Sequence, residues 1–288
     1  MRVEVPVADA TLVGERWTGA GPAIVLLHAG VCDRRGWHGL AGRLNALGWD
    51  VCAYDRRGFG EVPPAVRPFR HVDDLLAVLG AVSPDAPAWL MGSSMGGGLA
   101  LDATLEAPER VAGLVLIAPA ISGDPQPEDD AVDADTSGLA SAIDAAWTAG
   151  HLDVCNRLEV RLWLDGPSAP EGRVSGPARA LALAMNRIVL ENDRILEESG
   201  EPGADGASGV EAASRLAEIA VPAIVACGEL DLPSKLRRCA ELADALRHGR
   251  YRSLPGRAHL PYLEAPEEVA ALLESHPAQM GDDRRRIP

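Results

Sequence analysis

Ala88-Trp-Leu-Met-Gly-Ser-Ser-Met-Gly-Gly-Gly98 is an apolar run that breaks into a turn of small residues and continues as an Ala/Leu-rich segment. Its frame Gly92-Ser93-Ser94-Met95-Gly96 fits G-x-S-x-G, in which a serine sits on a tight strand-to-helix turn with its hydroxyl raised above a sheet. So sharp a turn brings together the positions two before and two after the serine, and side chains there would clash. Ser93 fails this test, because its flanks would be Met91 and Met95. Glycines and serines also build ordinary turns, so the rest of the chain has to decide.

Upstream, residues 2–8 and 11–18 alternate apolar and polar around Ala8-Asp9-Ala10, which predicts an antiparallel hairpin. From Ala23 the pattern changes to continuous apolar runs at 23–28, 50–55, 88–91 and 111–118, the signature of strands buried on both faces of a parallel sheet. Segments with helical spacing separate them, at about 36–47, 71–82 and 95–107. This alternation predicts a doubly wound α/β sheet, whose ligand sites lie at the carboxyl ends of the strands, where Ser94 falls. Between 120 and 218 the rhythm stops. Two stretches of helical periodicity, 139–164 and 178–198, lie among Gly/Pro/Asp-rich segments and predict a mainly helical insertion. The rhythm resumes with strands at 221–227 and 250–254 and helices at 233–247 and 266–275.

With 288 residues and 47% hydrophobic content the chain can bury a sizeable core. A formal net charge of −15 and a pI near 4.9 make a surface that repels phosphate backbones and anionic membranes, which argues against nucleic-acid and membrane partners. Arg284-Arg285-Arg286 follows the last helical pattern and reads as part of a solvated tail over 277–288. The N-terminus has no signal-like apolar core, and no apolar run approaches the ~18 residues of a membrane span. Five cysteines without a C-x-x-C pair suit a reducing compartment, so a cytoplasmic location is expected. The seven histidines show no metal-ligand spacing, and no cofactor is expected.

A serine hydroxyl needs a base oriented by a carboxylate before it can act as a nucleophile. The strand 221–227 runs into Gly228-Glu229-Leu230-Asp231, and the strand ending near Leu254 runs into Pro255-Gly256-Arg257-Ala258-His259. Both sit at the carboxyl edge, giving the chain order Ser94, Asp231, His259.

At these residues the sequence resembles the α/β-hydrolase fold superfamily over nearly its whole length. Leu27-His28-Ala29-Gly30 is similar to the family's oxyanion motif, and Tyr54-Asp55-Arg56-Arg57-Gly58-Phe59-Gly60 to its D-x-R-G-x-G turn. Gly228-Glu229-Leu230-Asp231 is similar to its acid turn, and the stretch from Gly256 to Glu267 to its histidine loop. The resemblance implies a mostly parallel sheet of about eight strands, with a core of residues 1–119 and 219–276 and a helical cap, or lid, over 120–218. It further implies Ser94 as nucleophile, His259 as base, Asp231 as its orienting acid, and backbone N–H groups of Met95 and Gly30 as the oxyanion hole. The family's usual His-Gly is His28-Ala29 here, which narrows the allowed backbone angles before Gly30.

Rival assignments are Glu229 or Asp124 as the acid, His28 as a proton carrier and Cys32 as a nucleophile. The motif spellings look like the branch of enol-lactonases and small-molecule esterases, which implies hydrolysis of a small carboxylic ester or lactone through an acyl-serine. Carbon–carbon bond hydrolysis, cofactor-free peroxidation and a non-catalytic binding role are the alternatives. Apolar residues of the insertion, Trp147, Leu152, Trp163, Leu164, Met185 and Ile188, predict either a lid core or a pocket for a small molecule of moderate apolarity.

Overall fold

The computed structural model describes residues 1–124, 134–199 and 206–274. The predicted hairpin forms from β1 (Arg2–Val7) and β2 (Ala10–Trp17), paired antiparallel with Val7 opposite Ala10. The chain then alternates through β3 (Ala23–Leu27), α1 (His38–Ala46), β4 (Asp50–Tyr54), α2 (His71–Val82), β5 (Ala88–Ser93), α3 (Met95–Glu106) and β6 (Val111–Ile117). After β6 come three helices, α4 (Ala134–Thr148), α5 (Leu152–Val160) and α6 (Gly176–Ser199). The order closes with β7 (Ala223–Gly228), α7 (Pro233–Ala245), β8 (Gly249–Leu254), α8 (Pro261–Glu264) and α9 (Pro266–Glu274).

Eight strands form one sheet in the order β1-β2-β4-β3-β5-β6-β7-β8. Only the pairings of β2 with β1 and β4 are antiparallel; the six strands from β4 to β8 run parallel. The continuous apolar strands divide their side chains between the two faces with a period of two. Val25, Leu27, Ala88 and Leu90 join the helices α2, α3 and α7 in one core. Ile24, Leu26, Trp89 and Met91 join α1 and α9 in the other.

Several boundaries differ from the sequence expectation, two of them for a local reason. The stretch 139–164 is not one helix: α4 ends before Gly150, which takes a positive φ of 73°, and His151 N–H reaches back to the carbonyl of Ala146. α5 follows and widens into a turn of π-helix at Arg161–Asp165. β7 begins at Ala223 rather than 221, because Pro222 has no N–H to give to a neighbour. The expected tail over 277–288 lies outside the described residues. No helix among the described residues is long and apolar enough to cross a membrane.

Candidate active site

The turn after β5 is held in a conformation that side chains disfavour. Ser94 has φ 52° and ψ −117°, outside the regions open to most residues, and such strain persists only where the surroundings enforce it. Here they do. Ser94 N–H donates to the carbonyl of Ile117 on β6 at 2.9 Å, and the Ser94 carbonyl accepts from Gly97, Gly98 and Ala120. A Cβ on Gly92 would lie 2.2 Å from the Gly96 carbonyl oxygen, and one on Gly96 would lie 2.2 Å from that of Leu27. Glycine at both positions lets α3 start directly beneath the loop after β3, with Ser94 only half-buried above it.

Asp231 and His259 leave neighbouring strands and meet. β7 pairs in parallel with β8, and the turns that follow them are stitched by Leu230 N–H to the Arg257 carbonyl at 2.8 Å. The approach depends on Gly228, where a Cβ would be 2.3 Å from the carbonyl oxygens of Arg257 and Ala258. His259 Nδ1 lies 2.7 Å from Asp231 Oδ2, and Asp231 Oδ1 accepts the Leu232 N–H at 2.7 Å. Both side chains are buried. With Nδ1 donating to the carboxylate, Nε2 carries the lone pair that can accept a proton. The indole of Trp163, in the π turn after α5, packs on the His259 ring with centroids 4.6 Å apart.

The rival residues have other partners. Glu229 is exposed and accepts from the Ser253 hydroxyl at 2.9 Å, while Asp124 is paired with Arg238. His28 is fully buried; its Nδ1 lies 2.8 Å from the Ala29 carbonyl oxygen, and its Nε2 accepts the Arg56 N–H at 3.1 Å. Burial holds the His28 imidazole well below its ordinary pKa, so it stays neutral. Burial also pushes the Cys32 thiol up to about 12, which removes the thiolate a nucleophile would need.

Gly30 and Met95, the expected oxyanion donors, are neighbours in space: a Cβ on Gly30 would lie 2.7 Å from Met95 Sδ. The loop carrying Gly30 is braced by Asp55, whose Oδ1 accepts the Arg34 N–H at 2.8 Å and whose Oδ2 accepts the Glu61 N–H at 2.9 Å. Arg57, the arginine of the D-x-R-G turn, pairs with Asp74 and Asp9. Its neighbour Arg56 has no carboxylate partner among the described residues; its Nη2 donates to the His28 carbonyl at 3.0 Å. Sequence reasoning passed over Arg56. The available signal was a second arginine in the variable slot of a turn that leaves a wholly buried strand.

The six apolar residues of the insertion separate into distinct roles, with Ile188 partly buried and outside the core clusters. Trp147 and Leu152 pack with Ala146, Cys155 and Leu190 in a small helical core, and Leu164 and Met185 join the core beneath the sheet edge. Trp163 alone of the six touches a candidate catalytic side chain through a ring contact. Among the described residues no group of three or more His, Cys, Asp or Glu could hold a metal ion.

Comparison with known proteins places the chain in a family. The sequence model of the alpha/beta hydrolase fold matches residues 22–266. The chain is 28% identical over 265 residues to the pimeloyl-[acyl-carrier protein] methyl ester esterase of Edwardsiella ictaluri, covering 88% of this chain and 93% of that one. Among solved structures it is similar to the esterase RhEst1 from Rhodococcus sp. ECU1013, with a TM-score of 0.74, 22% identity and coverage of 95% and 97%. It is also similar to Est816, described as an N-acyl homoserine lactone degrading enzyme, with a TM-score of 0.70, 23% identity and coverage of 94% and 99%. The chain therefore belongs to the α/β-hydrolase fold family, as a hydrolase that resembles esterases.

Proposed function

We propose that the protein is a serine hydrolase that cleaves a small carboxylic ester or lactone through an acyl-serine intermediate. The observation that carries this reading is the 2.7 Å contact between His259 Nδ1 and Asp231 Oδ2 on the sheet edge that also bears the strained Ser94 turn. In the proposed reaction Ser94 Oγ attacks the substrate carbonyl while His259 Nε2 takes its proton. The same proton then passes to the leaving alkoxide, and water repeats the sequence to release the acid. Asp231 fixes the tautomer and stabilises the imidazolium. The N–H groups of Met95 and Gly30 hold the oxyanion, and each such donor is worth about 3 kcal/mol of transition-state stabilisation.

In this reading the helices α4 to α6 form the cap and choose the substrate. Trp163 supports that role, since it brings an apolar ring from this segment onto the base. The described cysteines are all buried and unpaired, which fits a reducing compartment such as the cytoplasm.

A fluorophosphonate probe followed by intact mass tests the nucleophile. Wild type is expected to gain one adduct and Ser94→Ala none; an adduct that survives the substitution sinks the assignment. Aryl esters and lactones of graded chain length then fix the preferred acyl group.

A further inference from the structure

A cavity of about 370 Å³ opens beside the Ser94 turn, between the start of α3 and the segments around 120–123 and 206–211. Met95 and Leu99 line its apolar part. Arg56 and His71 also line it, and both carry buried polar atoms with no partner, Nε of Arg56 and Nδ1 of His71. Arg56 is only 2% exposed. Its side-chain hydrogen bonds run through Nη2, to the carbonyls of His28 and Ala29, and its guanidinium lies over the Phe59 ring at 4.7 Å. A buried guanidinium without a carboxylate is costly, because the protein supplies dipoles and a π face in place of a counter-charge. Burial lowers its pKa to about 10, which leaves it cationic at neutral pH.

The neighbouring groups do not discharge it. His71 is driven down to about 3 by burial and is neutral, and the nearby His28 is neutral too. Two carboxylates line the same cavity. Asp102 is engaged by the hydroxyls of Ser122 and Ser208, each at 2.5 Å, and Glu211 is exposed to solvent; neither bonds Arg56. Arg57, one residue on, is already neutralised by Asp74 and Asp9. Of the two adjacent arginines, the one without a carboxylate partner among the described residues is therefore the one that lines the cavity.

We infer that this cavity is a subsite for a carboxylate at the far end of the substrate's acyl chain, so that the preferred substrates are half-esters of dicarboxylic acids, with Arg56 as the specificity-determining residue and His71 as a second donor. This deepens the hydrolase reading, on which its kinetic part rests. The acyl chain runs from the Ser94 carbon past Met95 and Leu99, and its carboxylate supplies the counter-charge that the fold withholds from Arg56. No bond changes at the subsite; the carboxylate only binds.

The test uses monomethyl and dimethyl esters of C5 to C8 linear diacids, which match in length and differ in one free carboxylate. Binding to the Ser94→Ala protein is read by calorimetry, where hydrolysis does not intervene. The expected result is at least tenfold tighter binding of the monomethyl ester at the best length, from a charge-assisted pair in a dry site. Arg56→Met is expected to bring the two within about twofold, Arg56→Lys to retain part of the preference, and Ile121→Trp, which narrows the cavity, to weaken the monomethyl ester. In the wild type the ratio of kcat/KM for the two esters should follow the same order. Equal binding of both esters to the otherwise unsubstituted protein overturns the proposal, and that comparison needs no Arg56 variant to fold. A preference that survives Arg56→Met overturns it as well. Absence of fluorophosphonate labelling at Ser94 with the binding preference intact would remove the acyl-serine reading and leave the carboxylate subsite standing.

Discussion

The sheet edge and the helical segment above it are held together by different means. At the edge, main chain contacts main chain: Gly92 against Gly96, Gly96 against Leu27, Gly228 against Arg257 and Ala258. In the helical segment the ties are side chains. Asp165, fully buried, accepts from the N–H groups of Gly172 and Val174 and pairs with Arg179 at 2.7 Å. Arg173 donates to the carbonyls of Leu164 and Asp165, and reaches the histidine loop at the Gly256 carbonyl and Glu264. Backbone contacts tolerate no extra atom, so they hold Asp231 and His259 to one geometry. Side-chain pairs can be exchanged residue by residue, so the helical segment can change while the Asp231–His259 geometry stays.

The largest effect should come from the edge itself. Asp231→Asn is expected to lower kcat by about 10⁴-fold, as loss of the correct imidazole tautomer does elsewhere, while Glu229→Gln stays within about threefold. Steady-state kinetics of the two variants check this, and the reverse order would reassign the acid. Next, Gly228→Ala adds one methyl where main chain already stands at 2.3 Å. Unfolding in urea should give a loss of about 1–3 kcal/mol, and displacement of the acid turn should cost about 100-fold in kcat. A kcat within twofold of wild type would mean that the edge is more compliant than the contacts imply.

The helical segment should respond differently. Arg179→Met removes the charged partner of Asp165 but leaves its two N–H donors, so a loss of about 2 kcal/mol is expected. KM should rise while kcat stays within about threefold, and a collapse of kcat instead would tie this segment to the chemistry. The remaining effect concerns pH and is smallest near neutrality. The folded pKa of His71 is lowered to about 3, against 6.5 for the free side chain, so the unfolded chain binds more protons below pH 6.5. Stability contributed by the neutral form is full above about 6.5 and declines as pH falls, by up to ~1.4 kcal/mol per pH unit. His71→Gln should flatten part of that slope between pH 6 and 4 in urea titrations; an unchanged slope would place the acid sensitivity elsewhere, His28 being next in line.

The same division governs what could be read before the structure. Continuous apolar strands and helical spacing between them were enough to read the α/β order, because each is a local pattern, and the G-x-S-x-G frame became legible as the Ser94 turn once an acid and a histidine stood at the same sheet edge. The break at Gly150 was missed because helical periodicity carries across a single glycine, while its positive φ appears only once the chain is built.

Sequence by itself determined the strands, their order along the chain and which residue types stand at their carboxyl ends. Tertiary structure alone decided that Asp231 rather than Glu229 or Asp124 meets His259, since the turn after β7 carries Asp231 to the histidine loop while Glu229 meets Ser253 and Asp124 meets Arg238. It alone decided that Trp163 reaches His259 while Trp147 stays in its own small core. It also decided that Arg57 finds two carboxylates and Arg56 none, because charge pairing depends on what distant segments bring near, and adjacency in sequence carries no such information.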